Sequence, residues 1–168
     1  DSKPGAYKDL TQKRIDAVRK AYGPNASKIS RTGNILTLSG GGSDGAYGAG
    51  LLVGWTEHGD RPQFDFVTGI STGAMMAPLA FLGSKYDAQL KESYTTLSTE
   101  DVATPQVFAA VIGAADSLAD TKPLQGLVAK YMTAEMMKEI AAEHHKGRVL
   151  MIGTTNLDAQ RSVIWDIG

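Results

Sequence analysis

Cysteine is missing altogether, which removes disulfides, thiolate nucleophiles and sulfur-ligated zinc from consideration. Net charge is nearly absent too: 17 Lys and Arg against 18 Asp and Glu leave a formal −1. A nucleic-acid partner would demand a basic face, so none is expected. No apolar run is long either. MMAPLAFL and VFAAVIGAA fall well short of the roughly 20 residues of a membrane span. Histidine occurs three times, and the adjacent pair His144 and His145 would diverge by about 100° on a helix. No metal site and no cofactor is expected. What remains is a chain of 168 residues with 42% apolar content, enough to bury one core in a single domain.

Charge is unevenly placed. Residues 1–31 hold eight Lys and Arg against three Asp and Glu, and residues 32–168 hold nine against fifteen. The chain therefore divides into a basic N-terminal arm, 1–31, and a globular domain, 32–168. In the arm, Leu10, Ile15, Val18 and Tyr22 stand near helical spacing. A docked or solvated helix is favoured there over one that touches anionic lipid, although the basic arm leaves peripheral membrane contact open. The sequence begins with Asp1 rather than methionine. Processing or trimming is implied, a secretory leader being one candidate, and secreted, periplasmic, membrane-peripheral and cytoplasmic locations all stay open.

Within the domain, ILTLS and FDFVTG read as buried strands, each followed by a helix: AYGAGLLVGWTEHG, then TGAMMAPLAFLG, ended by Gly83. Pro78 inside the second helix should leave the Ala74 carbonyl unpaired and bend the axis. Further helices are expected over KYDAQLKESYTTLS, KPLQGLVAKYM and TAEMMKEIAAEHHKG. Thr133 should cap the last of these at its start. VFAAVIGAA is expected to pack in the core rather than form a lid. RVLMIGT and SVIWDI read as two strands joined by a turn. Strands alternating with helices give an α/β sheet with helical layers.

Two glycine clusters raise the question of chemistry. GGGSDG places Gly40, Gly42 and Gly45 in the GxGxxG pattern between a strand and a helix, a weak signal for dinucleotide binding. That fold needs an acid at the end of the second strand. Asp65 and Asp60 stand at its beginning instead. The position holds GISTG, a GxSxG match at Gly69, Ser71 and Gly73, the signature of a nucleophile elbow in which a tight turn lifts the serine hydroxyl clear of the sheet. On the pentapeptide alone, Ser71 as a plain helix N-cap is equally well supported. Acyl transfer through a serine also needs donors fixed where the oxyanion develops. Consecutive glycines ahead of a helix offer such amides without side-chain obstruction.

Together, LSGGGSDGAYGAGLL and FVTGISTGA resemble the glycine-rich motif and serine elbow of the patatin-like phospholipases, acyl hydrolases, in their bacterial branch. The likeness continues through MMAPLAFLG, KPLQGLVAKYM and VLMIGTTNLDAQRSVIWD, covering about residues 34 to 168. It implies a three-layer α/β/α sandwich, of which this chain carries the N-terminal part, and a Ser-Asp dyad acting on lipid acyl esters. Ser71 is the implied nucleophile. Gly40, Gly41, Gly42 and Ser43 are the implied oxyanion and substrate-binding residues, and Gly69 and Gly73 shape the elbow. The family's aspartate lies in an Asp-Gly-Gly or Asp-Gly-Ala motif downstream of the serine. The one match here, Asp44-Gly45-Ala46, lies upstream, so the base is expected outside this chain. Where many members carry Arg or Lys, Asp44 stands, and it is expected to cap a helix starting at Ala46.

Two rival readings remain. One is an α/β-hydrolase-type esterase with a Ser-Asp-His triad, drawing on Asp87, Asp101, Asp116 or Asp120 and on His144 or His145. The residues flanking both histidines point to solvated helix surface, and His58 reads as a partner for a helix C-terminus. The other is a non-catalytic lipid-binding module that keeps the fold without the base.

Overall fold

The computed structural model describes residues 6–24, 33–96, 122–156 and 158–168. Among them are four strands, β1 (Ile35–Leu38), β2 (Phe66–Ile70), β3 (Val149–Asn156) and β4 (Arg161–Asp166). Six α-helices accompany them: α1 (Ala6–Tyr22), α2 (Gly45–His58), α3 (Thr72–Leu82), α4 (Asp87–Thr96), α5 (Lys122–Tyr131) and α6 (Ala134–His145). Short 3-10 turns at Gly42–Asp44 and Ser84–Tyr86 lead into α2 and α4. VFAAVIGAA lies outside the described residues. The expected α/β architecture is present as one mixed sheet with helices around it.

The sheet runs in the order β1-β2-β3-β4. The first three strands are parallel, with Ile35 opposite Phe66 and Phe66 opposite Val149, and β4 returns antiparallel to β3. Both crossovers step the same way across the sheet, so right-handed connections place α2 and α3 over one face. Burial agrees with this. Val67 and Leu150, paired on that face, are wholly buried and share a core with Leu52, Met76, Phe81, Leu90 and Ile140. On the opposite face Ile35, Ile70 and Ile164 are 68%, 59% and 60% exposed.

The C-terminal ends of the parallel strands form an upper edge, and the helices return to a lower one. There the last carbonyls of α3 meet two arginines. Arg61 donates to Ala80 O at 3.4 Å and pairs with Asp87 at 2.7 Å. Arg148, itself buried, donates to Phe64 O at 2.8 Å and to Phe81 O, and reaches Glu143 at 2.9 Å. Cationic donors at a helix C-terminus satisfy orphan carbonyls and oppose the dipole. The helix α3 runs through Pro78 without interruption and stops at Gly83, whose φ of 92° suits glycine. Thr133 caps α6, accepting from the Met136 amide at 3.2 Å. Also at the lower edge, α1 docks through Arg14, which donates to Gly147 O at 2.9 Å.

Burial disfavours the charged form of Glu143, yet hydrogen bonds from Lys146 and Arg148 hold its carboxyl below the ordinary 4.5. A carboxylate lowered in the folded state contributes stability that is present above 4.5 and is lost as pH falls through the folded value. Glu143→Gln should therefore lower Tm at pH 7 while flattening its acid limb. Thermal melts of both proteins from pH 7 downward test this, and parallel acid limbs would refute it.

Candidate active site

The upper end of β2 turns into α3 through one residue. Ser71 has φ 55° and ψ −125°, a conformation costly for a side-chain-bearing residue and kept only where the surroundings enforce it. Among the described residues only Gln160 shares a positive φ without being glycine. The turn closes with the Ala74 amide donating to Ser71 O at 2.9 Å.

The flanking glycines show what enforces it. A Cβ on Gly69 would lie 2.3 Å from Gly73 O, and one on Gly73 would lie 2.3 Å from Leu38 O and 2.7 Å from Ser39 O. The first glycine lets the elbow fold on itself. The second lets it press against the end of β1, so the two glycine clusters converge. A Cβ on Gly40 would stand 2.8 Å from Ser71 Cβ and 3.4 Å from Ser71 Oγ.

The reading of Ser71 as an ordinary N-cap is overturned: its side chain makes no capping bond to α3. With φ positive, the residue departs from the extended backbone that aims an N-cap oxygen at the helix amides. Ser71 is half-exposed, its Oγ beside the glycine loop.

Past Gly40 the loop tightens. Gly42 has φ 64°, and the Asp44 amide donates to Gly41 O at 3.1 Å. Among the described residues no main-chain acceptor takes the amides of Gly41 or Gly42. Ser43 follows Gly42 in the 3-10 turn. The expectation for Asp44 needs correction. Helix α2 begins at Gly45 rather than Ala46, and Asp44 precedes it with φ −65°, ψ −15° and no side-chain cap. Because the 3-10 turn runs straight into the helix, Asp44 already has helical dihedrals and cannot aim its carboxylate at the first amides. That exposed carboxylate lies beside Gly41, its Oδ2 3.8 Å from where a Cβ would be.

Beneath the elbow is a residue that sequence reasoning passed over. Tyr94 of α4 is buried and donates from its hydroxyl to Thr72 O at 2.7 Å. Its ring edge would be 2.6 Å from a Cβ on Gly45, and burial pushes the phenol well above its ordinary pKa. No pattern in KESYTTLS marks it; only the glycine at the start of α2 hints that something presses there. Beside it a groove of about 310 Å³ runs between α2 and α4, bordered by Ala46, Ala49, Val53 and Tyr94.

The histidines lie elsewhere. His144 faces Asp166 at 3.6 Å, His145 contacts Ala141 O at 2.6 Å, and His58 contacts Asp60 at 2.8 Å. All three end helices that return to the lower edge, and Asp87, bound to Arg61, begins a helix there. The length of β2, about 3.3 Å per residue, separates that edge from Ser71. The described residues therefore bring no Ser-Asp-His triad together; Asp101, Asp116 and Asp120 lie outside them. His144 is not simply solvated, since it is half-buried against Gly168. Asp65 at the lower end of β2 binds the Asn34 amide at 3.0 Å, where it cannot meet a ribose at the upper edge. Among the described residues no cluster of His, Asp and Glu could hold a metal, and no helix is long and apolar enough to cross a membrane.

A protein-family model described as patatin-like phospholipase matches residues 36–162. No curated protein and no solved structure matches the chain.

Proposed function

The chain belongs to the patatin-like phospholipase family, and from that premise we propose that it carries the nucleophile half of a serine lipid acyl hydrolase centre. At the family level the activity is hydrolysis of lipid acyl esters. The finer assignment is that Ser71 Oγ attacks the ester carbonyl and passes its proton to a base. The resulting oxyanion is held by the amides of Gly41, Gly42 and Ser43. Collapse expels the alcohol, which takes up the proton, and water then releases the fatty acid from Ser71. The base is the aspartate of the family's Asp-Gly-Gly or Asp-Gly-Ala motif, which does not occur after Ser71 in this sequence. A lipid surface is the natural source of substrate.

The observation that carries this reading is the approach of Gly40 to Ser71, 3.4 Å from its would-be Cβ to Oγ, at a serine held with positive φ. A turn serving only to start a helix has no need of either. The test is labelling by a fluorophosphonate of the protein together with the segment that supplies the aspartate, read by intact mass. Stoichiometric modification of Ser71, absent in Ser71→Ala, is expected. A folded protein that stays unmodified would favour the non-catalytic module.

A further inference from the structure

Three elements that do not adjoin in sequence meet at one phenol. Tyr94 comes from α4, yet its hydroxyl bonds the carbonyl of Thr72, the residue following Ser71. Its ring edge presses on Gly45, the residue where the glycine loop becomes α2, within 2.6 Å of a would-be Cβ. Thr72 itself packs on Gly45, its Cβ 3.2 Å from the same point, and its buried hydroxyl has no hydrogen-bond partner among the described residues. The elbow and the loop are thus braced from below by a single side chain.

We propose that Tyr94 is a positioning residue for the reaction at Ser71, fixing the elbow through Thr72 O and the oxyanion loop through Gly45. The proposal rests on the nucleophile assignment above and deepens it. Gly69 and Gly73 let the elbow close but carry no side chain that could lock it, so the positive-φ serine between them depends on surrounding contacts to keep one orientation. The Thr72 carbonyl is the first main-chain acceptor beyond it, and a buried O–H donor anchors that peptide plane. The phenol's raised pKa keeps it protonated, and so a donor, over the working range.

The variant to make is Tyr94→Phe, which keeps the ring against Gly45 and removes only the hydroxyl. Met136→Ala, a core substitution on α6, serves as the destabilised control. Labelling of Ser71 by a fluorophosphonate is measured as a saturation curve well below Tm. The maximal rate should fall about tenfold in Tyr94→Phe, the scale of one lost buried hydrogen bond, with half-saturation unchanged. Met136→Ala should melt lower with its maximal rate kept. Amide exchange supplies an activity-independent readout: the Ala74 amide, which closes the elbow onto Ser71 O, should exchange about tenfold faster in Tyr94→Phe while Val67 stays protected. An unchanged maximal rate, an equal loss in Met136→Ala, or unchanged Ala74 exchange overturns the proposal. If the wild-type protein is not labelled at all, the nucleophile assignment fails. Ala74 exchange then still decides whether Tyr94 holds the elbow.

Discussion

Replacing Gly73 by alanine is expected to lower Tm by about 10 °C or to prevent folding outright. The added methyl would meet Leu38 O at 2.3 Å, Leu38 C at 2.6 Å and Ser39 O at 2.7 Å. Every one of these atoms is backbone, so no rotamer change gives relief. The start of α3 must retreat from β1, and α3 is the helix that packs across β1, β2 and β3. Overpacking at such a point costs about 3 kcal/mol, and a domain of this size loses roughly 3 °C per kcal/mol. Gly54→Ala supplies the contrast. That glycine lies inside α2 with nothing within 4 Å of a Cβ, so alanine should be neutral or stabilising by up to about 1 kcal/mol. Thermal melts of the two variants side by side make the comparison, and equal Tm values would mean that the elbow does not press on β1.

Gly40→Ala should separate chemistry from folding. Its methyl would press on the Ser71 side chain, 2.8 Å from Cβ and 3.4 Å from Oγ, so Ser71 itself must give way. The fold should survive with a Tm change of a few degrees at most. Ser71, though, would be displaced by several tenths of an ångström out of line with the loop amides. A misplacement of about 1 Å costs about a hundredfold in rate, so this smaller one should cost about tenfold. Second-order labelling by a fluorophosphonate, compared with the Tm of the same preparation, gives both numbers. Normal labelling would remove the loop from the catalytic account.

Much of this geometry could be read in the sequence because it is enforced locally. FDFVTGISTGA shows a strand, a one-residue turn and a helix in order, and its glycines stand where steric crowding needs them. The helix α6 was legible for the same reason: Thr133 caps it through a bond spanning three residues. What escaped depends on contacts between distant segments. Whether Asp44 caps α2 turns on the 3-10 turn before it rather than on its own preference. The partner of His144 arrives on β4, 22 positions later. Tyr94 reaches Thr72 across 22 positions of chain, and nothing in its neighbours distinguishes it from a surface aromatic. Steric demands of glycine are written into a motif, whereas long-range hydrogen bonds are not.

Among the described residues one face of the sheet is left uncovered, with a consequence for how the molecule behaves in company. Among the described residues β1 forms one border of the sheet, and its ILTL stretch bears no charge that would repel a neighbour. The other border, β4, is guarded by Arg161 and Asp166 at its two ends. An exposed face bearing isoleucines beside one undefended border is a template for adhesion. Whatever shields it must present apolar side chains to Ile35, Ile70 and Ile164. Without such a shield, the molecule's solubility is set by that face, however well the elbow above it is built.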